Sequence, residues 1–152
     1  MFGSYEDGTI IQWNFVNSGE IVKEFMGHSK RISSLALIPD KKLLVSASHD
    51  ATIRTWNTET GEPVSVYKTS GPVHLMRIGS DEPNIHAIVN RNIFYEINTS
   101  NNSIIKCIRF DKHSLTSFIY KDNILVFGNI ENKVLVYDLS EFDPESSEVI
   151  MC

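Results

Sequence analysis

Short apolar runs recur along the chain, separated by clusters of Gly, Asn, Asp, Ser and Pro. Such runs between turn residues predict strands. The clearest group lies between Ile32 and Lys68. Ile32, Leu35 and Leu37 mark one strand, and Pro39-Asp40-Lys41 is the turn out of it. Leu43–Ser48 is almost continuously apolar or small, which suits a strand covered on both faces. Asp50-Ala51 turns, Thr52–Trp56 returns, Thr60-Gly61 turns again, and Pro63–Lys68 forms an outer strand with its proline at the start.

This pattern repeats. Ile10, Ile53, Phe94 and Val134 fall at steps of 43, 41 and 40 residues, and Trp13, Trp56, Ile97 and Tyr137 follow at the same steps. Val73, Met76 and Ile78 echo Ile32, Leu35 and Leu37 at an offset of 41. Ile124–Asp138 aligns without a gap to Leu43–Asn57, with Glu131 on Asp50 and Tyr137 on Trp56. A period of this size is that of a four-stranded propeller blade. The best-kept unit, Gly27–Asn57, opens on Gly-His and closes on Trp-Asn. It resembles the WD-repeat family of β-propellers, with Asn57 in place of the usual Asp.

The resemblance implies an all-β fold of four-stranded antiparallel blades of WD-repeat type in an incomplete ring. The expected divisions are a half blade at residues 1–26, a full blade at 27–69, a degenerate blade at 70–111, and another with a polar tail at 112–152. Asp7-Gly8 and Asn17-Ser18-Gly19 are the turns of the half blade, whose first strand is missing. Glu148–Cys152 is either the start of a fourth strand or a loose tail. A ring of about three and a half blades leaves blade faces and a strand edge bare. The chain is therefore expected to be a fragment, a truncated gene model or one part of a split propeller that needs further blades. Alone, it is expected to be poorly soluble or oligomeric.

The resemblance also implies a buried tetrad of His28, Asp50 and Trp56, with Ser46 or Ser48 as the hydroxyl. The chemistry is self-consistent: an indole N–H needs an acceptor, a hydroxyl can accept it while donating to imidazole, and a carboxylate satisfies the other ring nitrogen. No catalytic residues are expected, because no nucleophile elbow or oxyanion loop accompanies this Ser, His and Asp. The second blade has no tetrad by alignment and the third keeps only Glu131 and Tyr137, so both are expected to rely on apolar packing.

The five histidines, His28, His49, His74, His86 and His113, show no ligand spacing, and no Cys–Cys pair occurs, so no metal and no cofactor are expected. His86 alternates within a strand and reads as a satisfied or surface imidazole. Hydrophobic residues at 41%, charged residues at 22% and a net charge of −5 describe a globular chain without a basic field for direct nucleic-acid binding. No apolar run is long enough for a membrane-spanning helix, and the first residues lack signal-peptide character. Cys152 is a poor place for a structural bridge, so a reducing, intracellular compartment, cytoplasmic or nuclear, is expected.

Lys30, Arg31, His49, Arg91, Lys112 and His113 sit in loops that should share a rim, the first place to look for a partner. The favoured function is a non-enzymatic scaffold that binds other proteins or peptides. The alternatives are a substrate-recognition adaptor, for example in ubiquitin ligation, using Arg31, Arg54 and Arg91 on a phosphorylated peptide, and a component of an RNA-processing or ribosome-assembly particle.

Overall fold

The structure is a computed structural model and describes residues 1–14, 16, 19–79, 84–140 and 149–151. The expected turn residues Asn17 and Ser18 and the polar tail from residue 141 to 148 lie outside them. The chain divides into two compact units, Met1–Met76 and Arg77–Cys152.

The first unit holds two antiparallel sheets. One contains β1 (Phe2–Ser4), β2 (Ile10–Asn14) and β3 (Glu20–Phe25) in that order. The other contains β4 (Ile32–Ile38), β5 (Leu43–Ser48), β6 (Thr52–Asn57) and β7 (Pro63–Lys68), again in chain order. A 3-10 turn at Pro39–Lys41 joins β4 to β5. β5 is buried from Leu44 to Ser48, as its unbroken run of apolar and small residues requires.

Ile10, Phe25, Leu44 and Trp56 form one core cluster, with Phe2, Ile32 and Leu35 packed against it. The Phe25 ring meets Trp56 edge-on at 6.0 Å. Burying each of these large side chains contributes about 1.5–3 kcal/mol. Polar contacts add to the packing. Lys23 on β3 donates to the Thr58 carbonyl at 3.2 Å and also to the Glu59 carbonyl. In the β1–β2 turn, Asp7 Oδ1 accepts from the Thr9 amide at 2.9 Å. Gly8 lies there at φ +95, and a Cβ on it would stand 2.7 Å from the His28 carbonyl oxygen. Only glycine permits both that conformation and that approach.

β8 (Val73–Ile78) crosses the division between the units. It leads into β9 (Ile85–Val89), β10 (Ile93–Ile97) and β11 (Ile104–Phe110). β9 and β10 are buried at every position. A separate sheet follows, made of β12 (Leu115–Lys121), β13 (Ile124–Asn129) and β14 (Val134–Asp138). The tight turns use left-handed residues, with Asn90 and Arg91 between β9 and β10, and Asp122 and Asn123 between β12 and β13.

The last strand, β15 (Val149–Met151), sharpens the reading of the tail. It is a strand, but it adds to β11 and not to β14, with Met151 opposite Ile108 and Val149 opposite Phe110. The cysteines need a correction as well. Cys107, buried on β11, is disulfide-bonded. β15 brings the end of the chain alongside β11, a pairing that sequence position alone does not reveal. Cys152 itself lies outside the described residues.

Candidate functional site: a buried tetrad and the loops around it

The loop before β4 delivers His28, the centre of β5 delivers Ser46, the β5–β6 turn delivers Asp50, and the end of β6 delivers Trp56. His28 Nδ1 lies 2.8 Å from Asp50 Oδ2, and Nε2 lies 2.8 Å from Ser46 Oγ. Trp56 Nε1 donates to the same Ser46 oxygen at 2.8 Å. A carboxylate can only accept, so Nδ1 carries the proton and Nε2 accepts from the Ser46 hydroxyl. Each polar group in this buried chain is thereby satisfied. Thr52 Oγ1 and the Ser29 amide also donate to Asp50, at 2.6 and 3.1 Å.

Ser46 and not Ser48 is the hydroxyl of the tetrad. Both are fully buried. Ser48 instead reaches the Lys30 and Arg31 carbonyls at 3.0 Å and accepts from the Asp50 amide at 3.1 Å. Position along β5 makes the choice: Ser48 is its last residue and meets the entering loop, whereas Ser46, opposite Arg54 and so two residues along β6 from Trp56, is within reach of the Trp56 and His28 side chains.

Burial pushes the His28 pKa below its ordinary 6.5, outweighing the pull of Asp50 in the other direction. For Asp50, burial works upward, but hydrogen bonds from Thr52, His28 and Ser29 leave the pKa below its usual 3.8. The signs agree. For His28, the unfolded chain takes up a proton before the folded one, so its stabilisation is present above about 6.5 and declines as pH falls through the lower folded value. The Asp50 contribution persists above 3.8 and is lost below it. Calorimetry should therefore show a melting temperature a few degrees lower at pH 5 than at pH 7.5, and His28→Asn should flatten that dependence.

Around the tetrad, three side chains of the first unit converge. Arg31 lies within 3.4 Å of His49 Nδ1 and 3.2 Å of His49 Nε2. The His49 ring meets His74 edge-on at 4.9 Å. The backbone brings them together, because the His49 amide donates to the Arg31 carbonyl at 3.1 Å, and the Met76 amide of β8 donates to Ser34 Oγ of β4 at 3.1 Å. Lys30 is exposed beside them. His74 was missed by sequence reasoning; its place at the start of an inner strand, like that of Arg31, was the available signal. Arg54 stands apart, its guanidinium 5.9 Å from the Trp56 ring and close against Gly27.

Arg91, Lys112 and His113 belong to the second unit. The Arg91 carbonyl accepts from the Leu115 amide at 2.6 Å, and Lys112 and His113 help to line a pocket with Asn90, Asn129 and Glu131. His113 points inward, with Nε2 3.4 Å from the Tyr137 hydroxyl and its ring 5.9 Å from Phe127. Phe127 stands where Ser46 does in the alignment and stacks on Tyr137. Glu131 turns to Lys133 at 2.9 Å.

The expectation of purely apolar packing in the second blade needs correcting. Glu96 on β10 lies opposite His86 on β9 and Lys106 on β11 in the strand register. Its Oε1 is 3.6 Å from His86 Nε2, an ion-pair distance too long for a hydrogen bond, and 3.4 Å from the Asn84 amide nitrogen. Its Oε2 is 3.8 Å from Lys106 Nζ and accepts from the Tyr120 hydroxyl of β12 at 3.2 Å. Lys106 donates to that hydroxyl at 2.8 Å and to Asn123. Burial raises the Glu96 pKa, yet His86 and Lys106 with the Tyr120 hydroxyl bring it below 4.5. Burial, reinforced by the Glu96 charge, raises that of Tyr120. Sequence spacing hid this cluster because His86, Glu96, Lys106 and Tyr120 lie ten or more residues apart, on four strands.

Antiparallel sheets of three to five strands repeated at this period, one closed by a His–Ser–Trp–Asp lock, define a β-propeller fold. A profile of the "WD domain, G-beta repeat" family matches residues 19–57. Residues 19–57 thus match a WD repeat within a fold of β-propeller type. The chain is 26% identical over 164 residues to a p21-activated protein kinase-interacting protein 1-like of Gallus gallus, covering 96% of this chain and 44% of that protein. It is 38% identical over 56 residues to Pre-mRNA-processing factor 17 of Saccharomyces cerevisiae, covering 37% of this chain and 12% of that one. The chain thus spans less than half the length of these curated relatives. Its fold matches the Cps50 (Swd1) β-propeller domain of Myceliophteria thermophila with a TM-score of 0.76 at 18% identity, over 91% of this chain and 48% of that one. Among the described residues, no helix is long and apolar enough to cross a membrane.

Proposed function

We propose that the chain is a non-catalytic scaffold that binds other proteins or peptides through its rim loops, within a larger intracellular assembly. The Arg31–His49–His74 cluster carries this reading. Its side chains are held by backbone contacts between strand ends, so a partner meets a preformed surface and not a loose loop. The tetrad next to it is a structural lock, since Ser46 is committed to both Trp56 and His28. Similarity to a kinase-interacting protein and a pre-mRNA-processing factor supports service in an assembly.

The adaptor reading is weaker, because the guanidinium of Arg54 is engaged by Trp56 and Gly27 and does not converge with Arg31 on a phosphate. Membership of an RNA-processing particle rests on the name of a relative that matches 37% of this chain.

The test is affinity capture from cell extract with quantitative mass spectrometry, comparing the wild-type chain with an Arg31→Glu/His49→Glu variant. Partners should fall about tenfold, a loss of about 1.4 kcal/mol. Equal recovery of the same proteins by a folded variant would overturn the rim as the binding surface.

A further inference from the structure

The loops that close the tetrad in the first unit recur in the second with other residues. In the first, the His49 amide donates to the Arg31 carbonyl at 3.1 Å, and Ile32 pairs with Ser48 just before a break in register. In the second, the Ile130 amide donates to the Ser114 carbonyl at 3.2 Å, and Leu115 pairs with Asn129 before the same kind of break. Ser114 therefore corresponds to Arg31, and Asp111, three residues earlier, to His28. Glu131 holds the place of Asp50. Two carboxylates thus occupy the positions of an imidazole and the carboxylate that it bonds.

The contacts that close the first unit are replaced here. Glu131 gives Oε2 to Lys133 at 2.9 Å, and the exposed Asp111 has no hydrogen bond or ion pair among the described residues. Ser48 ties its Oγ to the entering loop, whereas Asn129 in its place accepts from the Glu131 and Lys133 amides, each at 3.0 Å. Gly8, which leaves no room for a side chain against the His28 loop, corresponds to Asn92. Their amides donate to matching carbonyls, those of Tyr5 and Val89. These changes leave a cavity of about 330 Å³, within the roughly 300–1,000 Å³ of ligand sites. Asn92, Asp111, Ser114 and Glu131 line it, with His113, whose buried Nδ1 has no hydrogen-bond partner.

We propose that this cavity is a recognition pocket for an arginine side chain of a partner protein, seated between Asp111 and Glu131 where His28 and Asp50 close the first unit. Lys112 is the one fixed cation among the lining residues. Carboxylate oxygens only accept, and so does the side-chain oxygen of each asparagine. A guanidinium carries five donors in a planar fork and no acceptor, so it serves Asp111, Oε1 of Glu131 and asparagine oxygens together. A lysine brings the same charge as a single point and satisfies fewer of them. The pocket is separate from the Arg31–His49–His74 surface and does not depend on it.

The test titrates the whole chain with Nα-acetyl-arginine amide and follows its backbone amides and the His113 ring by NMR. Saturable shifts are expected at Asn92, Asp111, Ser114 and Glu131. Nα-acetyl-citrulline amide, similar in shape but uncharged, should bind at least about tenfold more weakly, because it forfeits the charge-assisted hydrogen bonds. Asp111→Asn should weaken the arginine probe by a similar factor, and Arg31→Glu/His49→Glu should leave it unchanged. Loss of captured proteins in that double variant bears on the rim, and loss of the arginine probe in Asp111→Asn bears on this pocket. Equal binding of the citrulline probe, shifts scattered outside the cavity, or no saturable shift overturns the proposal. The same shifts produced by calcium chloride alone would also overturn it, in favour of a metal site. Should Asp111→Asn disturb the fold, the comparison of arginine and citrulline probes on the wild-type chain decides.

Discussion

Trp56→Ala is expected to destabilise the first unit by about 3–5 kcal/mol, the range for removing a buried large aromatic side chain. Trp56 is 1% exposed and sits in the cluster of Ile10, Phe25 and Leu44, so the deletion leaves a cavity bounded by two sheets. It also removes the donor to Ser46 Oγ and the ring that Phe25 meets edge-on. Trp56→Phe separates the two contributions. It keeps most of the volume and loses the indole N–H, for a cost of about 1–3 kcal/mol. Urea unfolding followed by circular dichroism gives both values. Equal losses in the two variants would show that the hydrogen bond, and not the packing, dominates. A double-mutant cycle of Trp56→Phe with His28→Asn should show non-additivity of at least about 0.5 kcal/mol, because both side chains act through one hydroxyl.

The second large effect is expected at Glu96. Glu96→Ala should cost about 2–3 kcal/mol, below the full penalty of a broken buried ion pair because Lys106 retains partial access to water. The loss leaves the Tyr120 hydroxyl and Lys106 sharing only Asn123. It also removes the charge that helps to hold the Tyr120 pKa up, so spectrophotometric titration of Tyr120 should move toward the ordinary 10. Glu96→Gln should be milder in both respects, since an amide oxygen can still accept from Tyr120. A variant as stable as wild type with an unmoved tyrosine titration would show that the cluster holds nothing together.

The two clusters differ in how readily a sequence discloses them. Three members of the tetrad were legible through the family resemblance, which puts a His after the opening Gly, an acid in the turn and a Trp at the close, while the hydroxyl was left between Ser46 and Ser48. The Glu96 cluster occupies no such places. His86, Glu96 and Lys106 become neighbours only when the β9–β10 and β10–β11 connections set the register, and Tyr120 arrives from another sheet. His113 shows the same limit. It looked like a loop residue available to a partner, yet replacement of the tetrad hydroxyl by Phe127 lets it turn inward toward Tyr137.

Alternation of apolar and polar residues, the turn chemistry and the forty-residue step were enough to place the strands and their repetition, while the WD type came from the resemblance carried by the Gly-His and Trp-Asn ends of one unit. Those are local matters, decided by which face of a pleated strand must leave water and where the chain can reverse. The tertiary structure alone decided that Ser46 and not Ser48 completes the tetrad, that a carboxylate lies buried in the second blade, and that the last strand joins β11. Each depends on what lies across a strand or between sheets. Register and long-range pairing respond to the summed burial of many side chains, which no single stretch of the chain records.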